Sequence, residues 1–106
     1  MKGFNGGLQQ LMKQANQMQL KMKKTQEELA SRTFTGTSGG DAVQAKVSGD
    51  NQVQSITISP EVVSAGDLEM LQDLIVTAVN DALRTARVTS EEEMQKVTGG
   101  KIPGLF

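Results

Sequence analysis

The chain has 106 residues and a net charge of −1 at pH 7, and it contains no cysteine, histidine, tryptophan or tyrosine. The missing residue types exclude a disulfide framework and catalysis by a thiolate or an imidazole. No charged segment followed by an apolar run opens the sequence, so we expect no signal peptide, and no apolar run is long enough to span a membrane. We therefore predict one soluble cytoplasmic domain over residues 1–106. We expect no enzyme activity, no cofactor, no metal and no small-molecule substrate.

A long first helix is predicted after residues 1–7, which are glycine-rich and expected to be loose, with Asn5 or Gly7 as the helix cap. From Leu8 to Leu29, apolar residues recur at steps of three and four, which is the heptad pattern of a helix that packs on another helix. That partner is either the chain's own domain or the same helix of a second chain. We prefer a second chain because the pattern is strict and the rest of the chain is small. The heptad seam consists of Leu8, Leu11, Ala15, Met18, Met22, Thr25 and Leu29.

The same segment is basic. Residues 1–32 carry six basic and two acidic groups, whereas residues 33–106 carry five basic and ten acidic groups. This asymmetry is typical of an arm that binds a polyanion, and a solvated helix face is the alternative. The lysines of the helix lie off the seam and are therefore expected to point outward. The predicted DNA contacts of this segment are Lys13, Lys21, Lys23, Lys24 and Arg32.

Three strands are predicted after the helix, where the apolar period changes to two. Residues 33–37 favour a first strand, and alternation from Val43 to Ser48 predicts a second. Asp50 and Asn51 mark a hairpin turn before a third strand over residues 53–58. Because the connections are short, we expect an antiparallel meander with one covered face.

The C-terminal part is predicted to form a helical hairpin. Asp67 caps a helix over residues 68–86, whose wide apolar stripe is expected to cover the sheet. Ser90 and Glu93 have the spacing of a capping box, which predicts a second, short helix up to residue 97 or 98. Helix caps and helix dipoles explain the acidic residues at the starts of these two predicted helices, so we do not predict a metal site from these residues. Gly99 stops the last helix, and residues 99–106 are expected to be a loose tail, giving an α+β fold of order α-β-β-β-α-α.

Five stretches together cover nearly the whole chain. They are LMKQANQMQLKMKKTQEELA at 11–30, TGTSGGDAVQAKVSG at 35–49, ITISPEVV at 56–63, DLEMLQDLIVTAVNDALRTA at 67–86 and TGGKIPG at 98–104. In sequence and in order, these stretches resemble the YbaB/EbfC family of small bacterial nucleoid-associated proteins.

The resemblance implies a tweezer-like homodimer that binds DNA with low sequence specificity. It places the dimer interface on the sheet and on the helix after Asp67, and it implies that the heptad seam packs partly on the C-terminal helix. It also adds DNA contacts in the C-terminal helical region: Arg84, Arg87, Lys96 and Lys101. The implied interface residues are Val43, Val47, Ile56, Ile58, Leu71, Leu74, Ile75 and Ala78.

The predicted function is that of a nucleoid-associated protein which binds duplex DNA, organises the chromosome and influences gene expression. Its attraction to DNA is expected to be electrostatic, through the release of counterions from phosphates. The alternative is a non-catalytic adaptor that holds a protein partner with the heptad helix and the apolar tail at residues 102–106.

Overall fold

The computed structural model describes residues 2–99, with side chains described from Gly7 onward. The elements are α1 (Lys2–Ser31), β1 (Thr33–Ser38), β2 (Val43–Ser48), β3 (Val53–Ile58), α2 (Pro60–Ser64) and α3 (Leu68–Thr98). The α+β class and the order α-β-β-β-α-α are confirmed. None of the described helices is long and apolar enough to cross a membrane.

The sheet is a meander of order β1-β2-β3, and both pairings are antiparallel, as the short connections predict. The predicted strand bounds agree with the structure to within one residue. Asn51 has a φ of 66° in the second turn, a left-handed conformation that asparagine tolerates better than most residues. The amide of Ser48 donates to the carbonyl oxygen of Gln52 at 2.9 Å and closes this turn.

The two faces of the sheet differ in chemistry, and α3 covers only part of one face. The outer face is polar, with Thr35 and Lys46 exposed. The inner face of β1 and β2 packs under α3, where Ala78, Ala82 and Ala86 are buried in the same cluster as Phe34. The broad stripe of α3 therefore covers the sheet as predicted, but it lies over β1 and β2 and leaves β3 exposed along most of its length.

The prediction of two separate helices, over residues 68–86 and from about Ser90 to residue 97 or 98, is wrong, because α3 runs without a break from Leu68 to Thr98. Residues 84–89 contain no glycine or proline, so nothing ends the helix before Ser90, and a capping box is only a local signal. The second C-terminal helix is instead α2, where Ser59 accepts a hydrogen bond from the Glu61 amide at 3.3 Å.

Both predicted ends of the C-terminal helical part are confirmed. Asp67 is the N-cap of α3, and its Oδ1 accepts a hydrogen bond from the Met70 amide at 3.0 Å. Gly99 ends α3 in the left-handed conformation, with a φ of 66°. The remainder of the predicted tail, residues 100–106, lies outside the described residues.

The first helix starts earlier than predicted. It begins at Lys2, so Asn5 and Gly7 lie within the helix and the prediction that one of them caps it is wrong. Once a helix has nucleated, each further residue adds a hydrogen bond, and the three glycines of residues 2–7 are not sufficient to stop it here. The predicted loose N-terminal segment is therefore helical from residue 2.

Candidate nucleic-acid interface

Gly49 joins the end of α1 to the sheet. A Cβ atom at position 49 would overlap the carbonyl group of Leu29, so the β2–β3 turn and the helix touch backbone to backbone. The Gly49 amide also donates to the carbonyl oxygen of Arg32 at 3.1 Å. Leu29 is 5% exposed and belongs to the same core cluster as Ala86 of α3. This junction fixes the direction in which α1 leaves the sheet.

The heptad seam is covered in one half and exposed in the other. Leu29 is buried and Met22 and Met18 are half-buried, whereas Ala15 and the residues before it are exposed. Because α1 contacts α3, the chain's own C-terminal helix covers the half of the seam from Met18 to Leu29, as the family resemblance implied. Leu8 and Leu11, 49% and 64% exposed, are not covered within the described residues.

The two helices run antiparallel away from the sheet and form an arm. Counted from the shared cluster at Leu29 and Ala86, Met18 is 11 residues along α1 and Thr98 is 12 residues along α3. At about 1.5 Å per residue, both positions lie roughly 16–18 Å from the sheet. Residues 7–17 of α1, here named the tip, therefore project beyond the end of α3, and every residue of the tip is exposed.

The predicted lysine contacts of α1 are all exposed and lie off the seam. Lys21, Lys23 and Lys24 occupy about one helical turn beside the half of the seam that α3 covers. Lys13 lies further out, in the tip. No acidic residue occurs between residues 7 and 26, and none of these four lysines forms an ion pair within residues 7–99.

The other predicted cations are dispersed, and several already have partners. Arg84 pairs with Asp81 at 3.1 Å, and Lys96 pairs with Glu93 at 3.3 Å. The guanidinium of Arg32 lies 5.2 Å from the centre of the Phe34 ring, a distance typical of a cation–π contact. Arg87 is exposed on α3. Lys101 lies outside the described residues. Of the predicted cations whose side chains are described, only Lys21, Lys23 and Lys24 lie together on about one helical turn.

The acidic residues that were predicted to lie at the start of a short helix after Ser90 do not lie at a helix start. Glu91, Glu92 and Glu93 lie inside α3, so the explanation by a cap and a helix dipole is wrong for them. They are nearly level with Lys21–Lys24, but on the neighbouring helix, with Glu91 and Glu92 exposed and Glu93 half-buried. Among the described residues, no acidic cluster has the arrangement of a metal site.

The residues predicted for a dimer interface fall into two groups. Val43 and Val47, beneath α3, and Ala78, on the side of α3 that faces the sheet, are all 0% exposed, so they have no surface to offer to a second chain. Their assignment to the interface is corrected, because an apolar period shows that a residue faces a core but not which chain completes that core. The others remain accessible to different degrees: Ile56 is exposed, and Ile58, Leu71, Leu74 and Ile75 are half-buried.

Among the exposed apolar residues that were not predicted as site residues, two extend the apolar surfaces of the tip and of β3. Met12 is 62% exposed and lies four residues after Leu8, on the apolar side of the tip. Val53 is 50% exposed at the start of β3. The spacing from Leu8 is the sequence signal that would have found Met12. Only the position of α3 over the other two strands reveals that Val53 is uncovered.

The chain is similar to known proteins along nearly its whole length. The model of the YbaB/EbfC DNA-binding family matches residues 4–101. A nucleoid-associated protein of Chloroflexus aurantiacus is 57% identical over 97 residues, which cover 92% of this chain and 96% of that protein. Another, from Caldanaerobacter subterraneus, is 51% identical over 107 residues, covering 98% and 96%.

A solved structure supports the fold. The crystal structure of an uncharacterised protein from Helicobacter pylori superimposes with a TM-score of 0.69, at 20% identity, covering 85% of this chain and 95% of that one. From the family match and the two relatives, we conclude that the chain belongs to the YbaB/EbfC DNA-binding family, whose members are nucleoid-associated proteins.

Proposed function

We propose that the protein binds duplex DNA with low sequence specificity through the arm, organises the chromosome and influences gene expression in the cytoplasmic nucleoid. One observation carries this proposal: Lys13, Lys21, Lys23 and Lys24 point outward from α1 without an acidic neighbour on the helix before Glu27. Duplex DNA carries about one negative charge per 1.7 Å of its axis, so a row of lysines gains free energy by releasing counterions.

A salt titration tests this proposal. We expect the logarithm of the affinity for a random duplex to fall against the logarithm of salt concentration with a slope of about −4 or steeper. Replacing Lys21, Lys23 and Lys24 together by glutamine removes three charges and should make the slope shallower by roughly 0.9 for each contacted phosphate. Lys46→Gln, on the exposed outer face of the sheet, is the control and should leave the slope unchanged. An unchanged slope in the triple variant would disprove binding through the arm.

We also propose that the functional unit is a homodimer in which a second copy covers β3. Val53 and Ile56, 50% and 39% exposed, share the face that α3 covers on the other two strands, because Val47 and Ala45 are their partners in the sheet. An apolar outer strand is prone to association, and native proteins usually cover such an edge. Two arms held at a fixed distance would then set the register of the protein on DNA.

Analytical ultracentrifugation tests the dimer. Ile56→Glu places a charge on the apolar face of β3 and should convert the protein to a monomer. Thr57→Glu places the same charge on the opposite, polar face of the same strand and should leave the dimer intact. An Ile56→Glu variant with the mass of the wild-type dimer would exclude this face from the interface.

A protein-binding adaptor is the second candidate, and the exposed half of the seam favours it. Leu8, Leu11 and Met12 are 49%, 64% and 62% exposed on one side of the tip, and apolar helix faces commonly bind a partner helix. Binding of a protein partner that resists salt, is lost in Leu8→Glu/Leu11→Glu, and leaves the affinity for DNA unchanged in that variant would support it. The apolar tail that this alternative also uses lies outside the described residues.

A further inference from the structure

The tip of α1 has two faces of opposite chemistry. Its apolar side carries the outer half of the seam, from Leu8 to Ala15. The opposite side is built of neutral amides around a single lysine, and these five exposed side chains line one shallow surface: Gln9, Gln10, Lys13, Gln14 and Gln17. Because Gln10, Gln14 and Gln17 follow at steps of four and three, they form one row along the helix.

The composition of this row differs from that of a surface which binds phosphates alone. Within residues 7–17, Lys13 is the one charged residue, whereas the lysine cluster at residues 21–24 lies closer to the sheet. Glutamine is neutral and gains nothing from the release of counterions, but its amide can pair with both N6 and N7 of adenine in the major groove. The chemistry of the row therefore suits the edges of bases better than the phosphate backbone.

The shape of the tip permits this contact. The major groove of B-DNA is about 12 Å wide, which admits one α-helix of about 10–12 Å in diameter but not a pair of helices. Nearer the sheet, α3 lies alongside α1 and makes the arm two helices thick. The tip extends beyond Thr98 as a single helix and is exposed on all sides, so it is the part of the described arm that fits the groove.

We propose that the tip enters the major groove and contacts adenine through Gln10, Gln14 and Gln17, while Lys21, Lys23 and Lys24 neutralise phosphates beside the groove. This inference rests on the proposed binding of duplex DNA. It adds a graded preference for adenine to a mainly electrostatic interaction and does not amount to recognition of one fixed sequence.

The test compares two A·T duplexes that differ in one atom position. In the second duplex, 7-deazaadenine replaces adenine, which removes the N7 acceptor from the major groove and leaves base pairing and the minor groove unchanged. The wild-type protein should bind the deaza duplex about fivefold more weakly or worse, corresponding to the lower end of about 1–3 kcal/mol for a good bidentate contact. Gln10→Ala/Gln14→Ala/Gln17→Ala should bind both duplexes equally, with the salt slope of the wild type.

A matched variant and two contrary outcomes make the test decisive. Gln26→Ala/Gln72→Ala/Gln95→Ala removes three exposed helical glutamines outside the tip and should keep the full difference between the duplexes. Steep salt dependence with equal wild-type binding to both duplexes, or a difference that persists in the tip variant, would overturn the inference and leave the electrostatic proposal standing. No binding of the wild type to either duplex at about 50 mM salt would overturn both.

Discussion

Gly36 of β1 lies directly against the backbone of Ala82 in α3. A Cβ atom at position 36 would stand 2.8 Å from the Ala82 Cα and would also overlap the Ala82 nitrogen and the Ala78 carbonyl oxygen. The helix therefore packs on the sheet through main-chain atoms and alanines at this point. Glycine is required here by the close approach of two backbones rather than by an unusual backbone conformation.

Gly36→Ala is expected to destabilise the protein by about 1–3 kcal/mol, because the helix must move away from the strand to admit the methyl group. A urea titration followed by far-UV circular dichroism measures this as a lower midpoint with a similar slope. Gly7→Ala is the control, since Gly7 lies in α1 and, apart from its own helical backbone and chain neighbours, nothing lies within 4 Å of the added Cβ. It should leave the midpoint unchanged or raise it, because alanine favours a helix over glycine by up to about 1 kcal/mol.

Leu29→Ala tests the junction between the arm and the sheet. The side chain is 5% exposed in the core cluster, so its truncation should cost about 2–5 kcal/mol, through lost burial and the cavity that remains. Leu20→Ala removes the same atoms from a residue of the same helix that is 67% exposed. It should change the free energy of unfolding by less than about 0.5 kcal/mol, and equal losses in both variants would contradict the described packing of α1.

Asp67→Ala should destabilise the protein by about 1 kcal/mol, because the amide of Met70 loses the carboxylate that caps α3. Asp73→Ala removes the same charge from an exposed position inside α3. Chemical denaturation of the two variants separates the cap from the general effect of charge. The capping role fails if the two substitutions cost the same.

Ser90→Ala distinguishes one continuous helix from two. If Ser90 capped a separate helix, its loss would cost about 1 kcal/mol. Inside α3, alanine is the better helix former, so we expect the variant to be as stable as the wild type or up to about 0.5 kcal/mol more stable. Thermal and urea unfolding measure the sign of the change, and a clear loss would count against the continuous helix.

The sheet was predictable because its signals are local. Alternation from Val43 to Val47 and a turn at Asp50 and Asn51 determine register and direction together, and the structure has the expected strands. The division of α3 was not predictable in the same way. A serine followed by a glutamate three residues later can occur inside a helix as well as at its N-terminus, so this pattern alone does not show that a helix begins. The only sequence signal for a continuous helix is that no helix breaker precedes Ser90.

The exposure of the lysines in the candidate interface was predictable from the sequence. Position relative to the heptad seam correctly placed Lys13 and Lys24 in solvent. The same reasoning could not separate Val43, which α3 buries completely, from Ile56, which remains exposed, since both are apolar residues on one face of the sheet. That difference depends on where α3 comes to lie, a helix that begins 25 residues after Val43 and 12 residues after Ile56, and no local pattern encodes this.

The contact between Gly49 and the Leu29 carbonyl has a consequence for variation among related sequences. The direction of the arm depends on main-chain atoms that meet at a glycine, so the outward side chains of α1 take no part in aiming it. Substitutions along the exposed faces of α1 can then alter its charge or hydrogen-bonding capacity without changing the direction of the arm. The main-chain junction that holds the arm is therefore separate from the exposed surface of the arm, where selection can adjust binding affinity one residue at a time.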